Sequence, residues 1–459
     1  MGDDITTQCV LFEGLLGKPL DVRFQEEAGS SDGGAVLLRA ADERVGLTSC
    51  LAGVLQDERD VSRRRHELVD LVGQRVFGMA CGYADANDAK RLSGDPIQKM
   101  LLGRDAQSGA DLASQPTLSR FENSVGRKDL YRMSETLADT VIERHRARLG
   151  GRCRCVTIDM DQTDDPTHGE QQLSLFNAYY DSYCYLPLLG FVSFADEADQ
   201  YLCAAILRPG NASDKHGALA LLRRVYGRVR AAFPKASVRV RLDAGFACPE
   251  IFDWLDAQDR VEYVVAMGKN AVLERRVKRL LGKVRRRARR SKRSERVFGE
   301  TSYGARSWKR RRRVVMKAEV TVHPGREMKD NPRFVVTNMR QSPRWVYKRI
   351  YCGRGEVENR IKELHHGLEI DRTSCSRFLA NQFRVLLTAA AYVLMQEIRL
   401  CTAHTQLARA QVWTLRERLF KIGARVVVSA RRILLSLPRH YPFATVWSQV
   451  AASLGAQTG

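Results

Sequence analysis

The chain carries few of the signatures that would place it in a metal-finger, secreted or membrane class. Its 11 cysteines include no C-x-x-C pair, the closest two being Cys153 and Cys155. That excludes the usual zinc-finger spacing, and an odd, scattered count argues against a disulfide framework and for a reducing cytosol. The apolar run at residues 385–395 is shorter than the roughly 18 residues that a membrane-crossing helix needs. At the N-terminus, Met-Gly-Asp-Asp-Ile-Thr-Thr is acidic where a secretory signal is basic, so the expected location is cytoplasmic with no membrane partner. There is no Walker-type glycine loop, which removes a nucleotide cofactor, and no serine or tyrosine constellation of a covalent recombinase. Internal repeats and long Gly/Ser linkers are also missing.

Positive charge is what the sequence has in excess. Lys and Arg number 75 against 53 Asp and Glu, a formal charge of +22. Folding does not require such an imbalance, and self-repulsion opposes compactness. The charge points to a polyanion, with nucleic acid first and an anionic membrane surface second. A length of 459 residues, 44% hydrophobic and 28% charged, fits a globular protein of roughly two to four domains.

Periodicity divides the chain. Residues 1–150 read as a helical N-terminal DNA-binding domain after an irregular lead-in that ends in Gly-Ser-Ser-Asp-Gly-Gly at 29–34. Within it we expect residues 35–55 to open with a short strand at 35–38 and continue as a helix, further helices over 61–80 and 128–148, and a helix start at Thr117–Glu122 of the kind that presents an arginine to DNA. Residues 151–267 change to a strand period, with strands at 154–163, 173–181, 184–194, 201–207, 237–242 and 261–267 and helices at 214–233 and 249–257. This is a mixed α/β sheet flanked by helices. Residues 268–345 read as a β-rich basic insertion. Thirteen of the 22 residues from Arg275 to Arg296 are basic, and Lys309–Arg313 is an unbroken basic run. Contact with a nucleic-acid backbone is expected from Arg285, Arg286, Arg287, Arg289 and Arg290, and from Lys309, Arg310, Arg311, Arg312 and Arg313. Residues 346–405 return to the core, with an apolar helix at 376–401, and 406–459 form a C-terminal helical region with basic helices at 410–435.

Chemistry concentrates at residues 351–366. On a helix turning about 100° per residue, Tyr351, Arg354, Glu358, Lys362 and His365 share one stripe. One carboxylate among three cations suits a metal ligand beside a phosphate backbone. Further carboxylates stand at Asp159 and Asp161 on a strand, on one face because alternate residues point the same way, and at Asp243 where a later strand ends. Gathered carboxylates repel, so protons or divalent cations must neutralise them. Two Mg²⁺ ions, with Mn²⁺ able to substitute, would activate a water or a 3′-hydroxyl and stabilise the leaving oxygen of a phosphodiester.

The blocks Val-Thr-Ile-Asp-Met-Asp-Gln-Thr-Asp-Asp-Pro-Thr-His-Gly (156–169), Leu-Asp-Ala-Gly-Phe (242–246) and Tyr351-x-x-Arg354-x-x-x-Glu358 resemble the DDE transposases of bacterial insertion sequences, most nearly the insertion-sequence 1380 family. The resemblance spans residues 95–400. It implies an RNase H-like mixed sheet with a β-rich insertion before the last glutamate, Mg²⁺ as cofactor, and double-stranded DNA as partner, both as element inverted-repeat ends and as target. It also implies a homodimer in the synaptic complex. Asp243 and Glu358 match the second and third acidic positions. The first is open between Asp161, which suits the D-x-T spacing with Thr163, and Asp159, deeper in the strand; Asp161 is favoured. Tyr351 and Arg354 match the tyrosine and arginine of the related Y-R-E-K signature. The lysine expected seven residues after the glutamate is His365 here, and Lys362 lies one turn earlier. Trp308 and Trp345 read chiefly as packing residues, with stacking on a base as the functional alternative. The competing function is a DNA-binding protein of transposase descent that no longer catalyses; a nuclease without strand transfer is a third.

Overall fold

A computed structural model describes residues 10–12, 20–22, 26–195 and 197–457. Its N-terminal third is helical: α1 (Val36–Val45), α2 (Leu68–Ala80), α3 (Gln115–Ser124) and α4 (Arg127–Arg148). The strand expected at 35–38 is instead the opening of α1. Leu37, Leu38 and Ala41 are buried together there, a helical spacing that a four-residue window cannot reveal. The helix expected from 61 begins only at Leu68. Before it, Asp60 caps a short 3-10 turn at Val61–Arg63, and the Arg64 guanidinium donates to the carbonyls of Asp57 and Arg59.

The centre of the molecule is a nine-stranded mixed sheet. Its strands are β1 (Cys155–Gln162), β2 (Leu188–Phe194), β3 (Tyr201–Ile206), β4 (Ser237–Leu242) and β5 (Val261–Met267), then β6 (Glu295–Tyr303), β7 (Arg312–Thr321) and β8 (Arg333–Thr337). A two-residue strand, Lys329–Asp330, pairs onto β7. The spatial order is β6-β7-β8-β5-β4-β1-β2-β3. Only β1, β4 and β5 run parallel. Two helices follow these parallel crossings: α5 (Ala218–Ala232) precedes β4 and α6 (Pro249–Asp256) precedes β5.

Residues 268–345 add one long helix, α7 (Ala271–Ser291), and β6 to β8. The strands do not stand apart as a lobe, because β8 pairs antiparallel with β5 and extends the central sheet. The run Arg275–Arg296 is therefore mostly helix. Its apolar residues Leu273, Val277, Leu281, Val284 and Ala288 recur at three and four, and this stripe is the face it buries.

After the sheet come α8 (Gly355–Leu368) and α9 (Phe378–Cys401). By length and composition α9 is the one described helix able to cross a membrane, and 83% of its apolar window is buried in the protein. It packs against α1, α2 and α4 on one side and β3 on the other, so the N-terminal helices and the sheet share one hydrophobic core. Of the basic helices expected at 410–435, the first half is helical, over Val412–Phe420, and the second half is not. That helical segment, α over Val412–Leu415 and π over Arg416–Phe420, leads into two strands, Ala424–Val428 and Ile433–Ser436, which pair with each other, the first also with Gly29–Ser30. The β-branched run Val426–Val428 favours an extended chain more than its arginines favour a helix.

Candidate active site

Strand β1 alternates two kinds of residue. Val156, Ile158 and Met160 face one side of the sheet, and Thr157, Asp159 and Asp161 the other, yet all six are buried. A buried polar face must be satisfied from within the protein. The two aspartates find different partners. Asp159 is fully buried, and Arg241 of β4 binds it with both arms, Nε to Oδ1 at 2.8 Å and Nη2 to Oδ2 at 2.5 Å. Gln200 donates to Oδ2 as well. Burial pushes the Asp159 carboxyl up, and Arg241 pulls it back. Asp161, one pleat further, turns to Arg354, whose Nη2 donates to Oδ2 at 2.6 Å.

Arg354 is the centre of the acidic set. The same Nη2 lies 3.8 Å from Asp243 Oδ2, and Nη1 lies 4.0 Å from Glu358 Oε1. Its Nε is buried with no hydrogen-bond partner among the described residues. Burial opposes the guanidinium charge, but Asp161 and Asp243 raise its pKa above the ordinary value. Burial in turn pushes the Asp161 carboxyl up to about 6, with Arg354 opposing and the Asp243 charge adding to the rise. Asp243 is shifted upward too, first by burial.

Local sequence explains the placement. Asp243 ends β4 and caps the 3-10 turn Ala244–Phe246, accepting from the Gly245 N–H at 2.9 Å. A side chain at Gly245 would meet Asp214 Oδ2 at 2.0 Å, which accounts for the glycine of Leu-Asp-Ala-Gly-Phe. Glu358 stands in the first turn of α8, where the helix dipole favours an anion, and its side chain is 62% exposed. The stripe is not one continuous α-helix. Val346–Ile350 is a π turn and Tyr351–Arg354 a 3-10 turn before α8 begins at Gly355. Gly353 in that turn lets Arg241 pass beneath, since a Cβ there would stand 2.4 Å from its Nη1.

The structure gathers Asp161, Arg354, Asp243 and Glu358, and separates others. His365 does not project as a free phosphate contact. Its Nε2 lies 2.8 Å from Thr163 Oγ1 and its Nδ1 2.9 Å from Asp371 Oδ2, tying α8 to the end of β1. Lys362 is exposed, and Tyr351 is half-buried with its ring 5.2 Å from that of Tyr347. In the Lys309–Arg313 run the cations are largely paired: Arg312 is buried and Arg313 half-buried, while Lys309, Arg310 and Arg311 stay exposed. Arg312 is buried between Asp253 and Asp256, Arg310 also binds Asp256, Lys309 lies by Asp253, and Arg313 binds Glu300. Arg311 donates to the Ser302 carbonyl. Arg312 is therefore removed from the DNA-facing set. Within α7, Arg285 is paired with Asp330, whereas Arg286, Arg287, Arg289 and Arg290 are exposed with no ion-pair partner among the described residues. Trp308 packs against Phe252 and Tyr303, while Trp345 is 37% exposed.

Arg241, Gln200 and Asp371 were not singled out from the sequence. A signal for Arg241 existed: Arg239 and Arg241 alternate with Val238, Val240 and Leu242, which puts both arginines on the face that Asp243 continues. Next to the site, Asp165 is buried with both oxygens on the Thr373 hydroxyl at 2.9 Å, and burial pushes its carboxyl up to about 8. Because the folded value exceeds the unfolded one of 3.8, the unfolded state loses its proton first, so stability falls as pH rises from about 4 to about 8. Asp165→Asn keeps an acceptor for Thr373 and removes the titration. Its melting temperature is expected to exceed the wild type's at pH 8, with the gap shrinking toward pH 4; a gap that does not change with pH would contradict the assignment.

The acidic set is thus carried by two strands and a helix of a strongly basic mixed α/β protein. The family model described as "Transposase DDE domain group 1" matches residues 12–458, and the chain belongs to that family. No curated protein matches the chain.

As to a divalent metal, no three His, Cys, Asp or Glu side chains among the described residues converge closely enough to hold an ion as they stand. The donors nevertheless fit one chemically. They are hard carboxylate oxygens, Asp161 buried and Asp243 half-buried, both shifted upward first by desolvation, and a cationic guanidinium occupies the space between them.

Proposed function

We propose that this transposase cuts double-stranded DNA at insertion-sequence terminal inverted repeats and joins the freed 3′-hydroxyl to target DNA, in the cytoplasm. We further propose an RNase H-like core of the insertion-sequence 1380 kind. The order β3-β2-β1-β4-β5, with only β1, β4 and β5 parallel, supports that core. The observation that carries the function is the meeting of Asp161, Asp243 and Glu358 on Arg354.

Divalent cations held by Asp161, Asp243 and Glu358, two in number, would activate the attacking oxygen and stabilise the leaving one. Cutting forms a bond from water oxygen to phosphorus as the bond from phosphorus to the 3′-oxygen breaks, leaving a 3′-hydroxyl. In joining, that hydroxyl attacks a target phosphodiester in the same way, without a covalent enzyme intermediate. With the carboxylate charge neutralised, Arg354 would be free to donate from its Nη groups to a phosphate oxygen. Exposed Lys362, one turn beyond Glu358, faces the same phosphate track, and Tyr351 flanks it. The Thr163–His365–Asp371 chain holds the end of β1 against α8, which fixes Asp161 relative to Glu358. Asp159 belongs to the frame, because Arg241 occupies both of its oxygens. Two copies would pair the two ends of the element.

The test is a labelled duplex carrying the DNA that flanks the coding sequence, incubated with Mg²⁺, Mn²⁺ or EDTA. Metal-dependent nicking at the element boundary, followed by joined products, is expected. Tight binding with no cutting under either metal would overturn the reading in favour of a DNA-binding protein that no longer catalyses, and nicking without joined products would leave a nuclease.

A further inference from the structure

We infer that the outward face of α7 is a second DNA-binding surface, separate from the acidic site, that holds duplex phosphates without reading bases. The inference rests on the DNA reading above.

Its position follows from the register of the sheet. Asp159 pairs with Arg241, Arg241 with Val264, and Val264 with Thr337, so these residues share one face. Val335, two residues from Thr337, shares that face and pairs with Val315. Val264, Val315 and Val335 pack with Val346, Tyr347 and Ile350, the turns that lead into the glutamate helix. Helix α7 instead lies along β6 and β7 from the other side. There Leu280 would clash with a side chain at Gly299, which pairs with Met316, a neighbour of Val315 on the opposite face. The basic helix and the acidic site are thus on opposite faces of one sheet.

The charge is uncompensated where it faces solvent. Opposite the buried row of α7 runs a second row, Arg275, Arg279, Gly282, Arg286 and Arg290. The four arginines are exposed, and none has an ion-pair partner among the described residues. At 1.5 Å per residue, the 21-residue helix is roughly 31 Å long, close to the roughly 34 Å of one turn of duplex. Helix ends are secured independently of a ligand: Asn270 caps the start by accepting from Leu273 N–H at 3.0 Å, and Lys292 closes the end in the left-handed conformation.

Gly282 marks the point of closest approach. A glycine inside a helix disfavours it by about 1 kcal/mol relative to alanine, and nothing lies within 4 Å of where its Cβ would be. Packing within the protein therefore does not require glycine here. A bare backbone midway between Arg279 and Arg286 gives a phosphate room to sit between their guanidiniums. Arginine suits that use, because its planar fork matches phosphate oxygens. The partner chemistry is duplex phosphate, supplied either by the bound end continuing around the sheet or by a second duplex.

The test compares wild type, the triple variant Arg279→Gln/Arg286→Gln/Arg290→Gln and Gly282→Leu on a random duplex and on an end-bearing duplex over a salt series. For the triple variant, the slope of log affinity against log salt is expected to fall by up to about 2.7, about 0.9 per lost contact, equally on both duplexes. Gly282→Leu is expected to melt at or above the wild-type temperature while binding either duplex severalfold more weakly; that pairing of opposite signs is not what a merely structural role gives. Wild-type slopes in the triple variant, or a loss confined to the end-bearing duplex, would overturn the surface and leave the cutting reading intact. A wild type that binds neither duplex would overturn both. Lengthening the flank locates the source: a rise in affinity with length supports the continuing duplex, and capture of a second labelled duplex supports the other.

Discussion

Glu358→Ala is expected to slow metal-dependent strand cutting by about a thousandfold or more, since losing a metal ligand removes several kcal/mol of transition-state stabilisation at about 1.4 kcal/mol per decade. Duplex affinity should be unchanged or slightly higher, because the lost carboxylate lies where it would repel phosphates. The fold should be indifferent: the side chain is 62% exposed, and substitutions at such positions cost within about 0.5 kcal/mol. Single-turnover cutting, duplex binding and thermal melting of one preparation separate these effects. Cutting at the wild-type rate would remove Glu358 from the site and with it the proposed function.

The second large effect falls on stability. Asp159→Ala leaves the Arg241 guanidinium, itself 11% exposed, without the carboxylate that holds both its arms. Breaking a buried pair by removing one partner costs about 3–5 kcal/mol, against a total of about 5–15 kcal/mol for a typical domain. The variant is therefore expected to melt well below the wild type and to accumulate poorly. The double variant Asp159→Leu/Arg241→Met, which removes both charges, should recover most of the loss. Asp161→Ala gives the contrast: its partner Arg354 still has Asp243 and Glu358 nearby, so cutting is lost with a smaller fall in melting temperature. If Asp159→Ala folds like the wild type and fails to cut, Asp159 returns to the reacting groups and Asp161 loses its place.

That pair also shows how far the sequence could be read. The strands at 154–163, 237–242 and 261–267 and the helices between them were legible because their apolar periods are local, and the family blocks marked Asp161, Asp243, Arg354 and Glu358. The D-x-T spacing with Thr163 favoured Asp161 only narrowly over Asp159, since both sit on one face of one strand. What distinguishes them is Arg241, more than 80 residues later in the chain, and no local pattern encodes that meeting. The same limit explains the Lys309–Arg313 run. Basic density predicted a solvent-facing contact, whereas Asp253 and Asp256 from α6 absorb much of the charge. Likewise, residues 424–436 look helical from their arginines, and their strand partner Gly29–Ser30 lies at the other end of the described chain.

The contact between Arg354 and Asp161 spans 193 residues, and this has a consequence for synthesis. At about 5–20 residues per second, the aspartate leaves the ribosome about 10–40 s before the arginine and glutamate that complete its site. A nascent or prematurely ended chain can expose the basic helix yet has no assembled acidic set. On the proposed function, such a chain would keep the base-independent phosphate contacts of α7 without the means to cut, so an interrupted translation would yield an indiscriminate DNA binder instead of a nuclease.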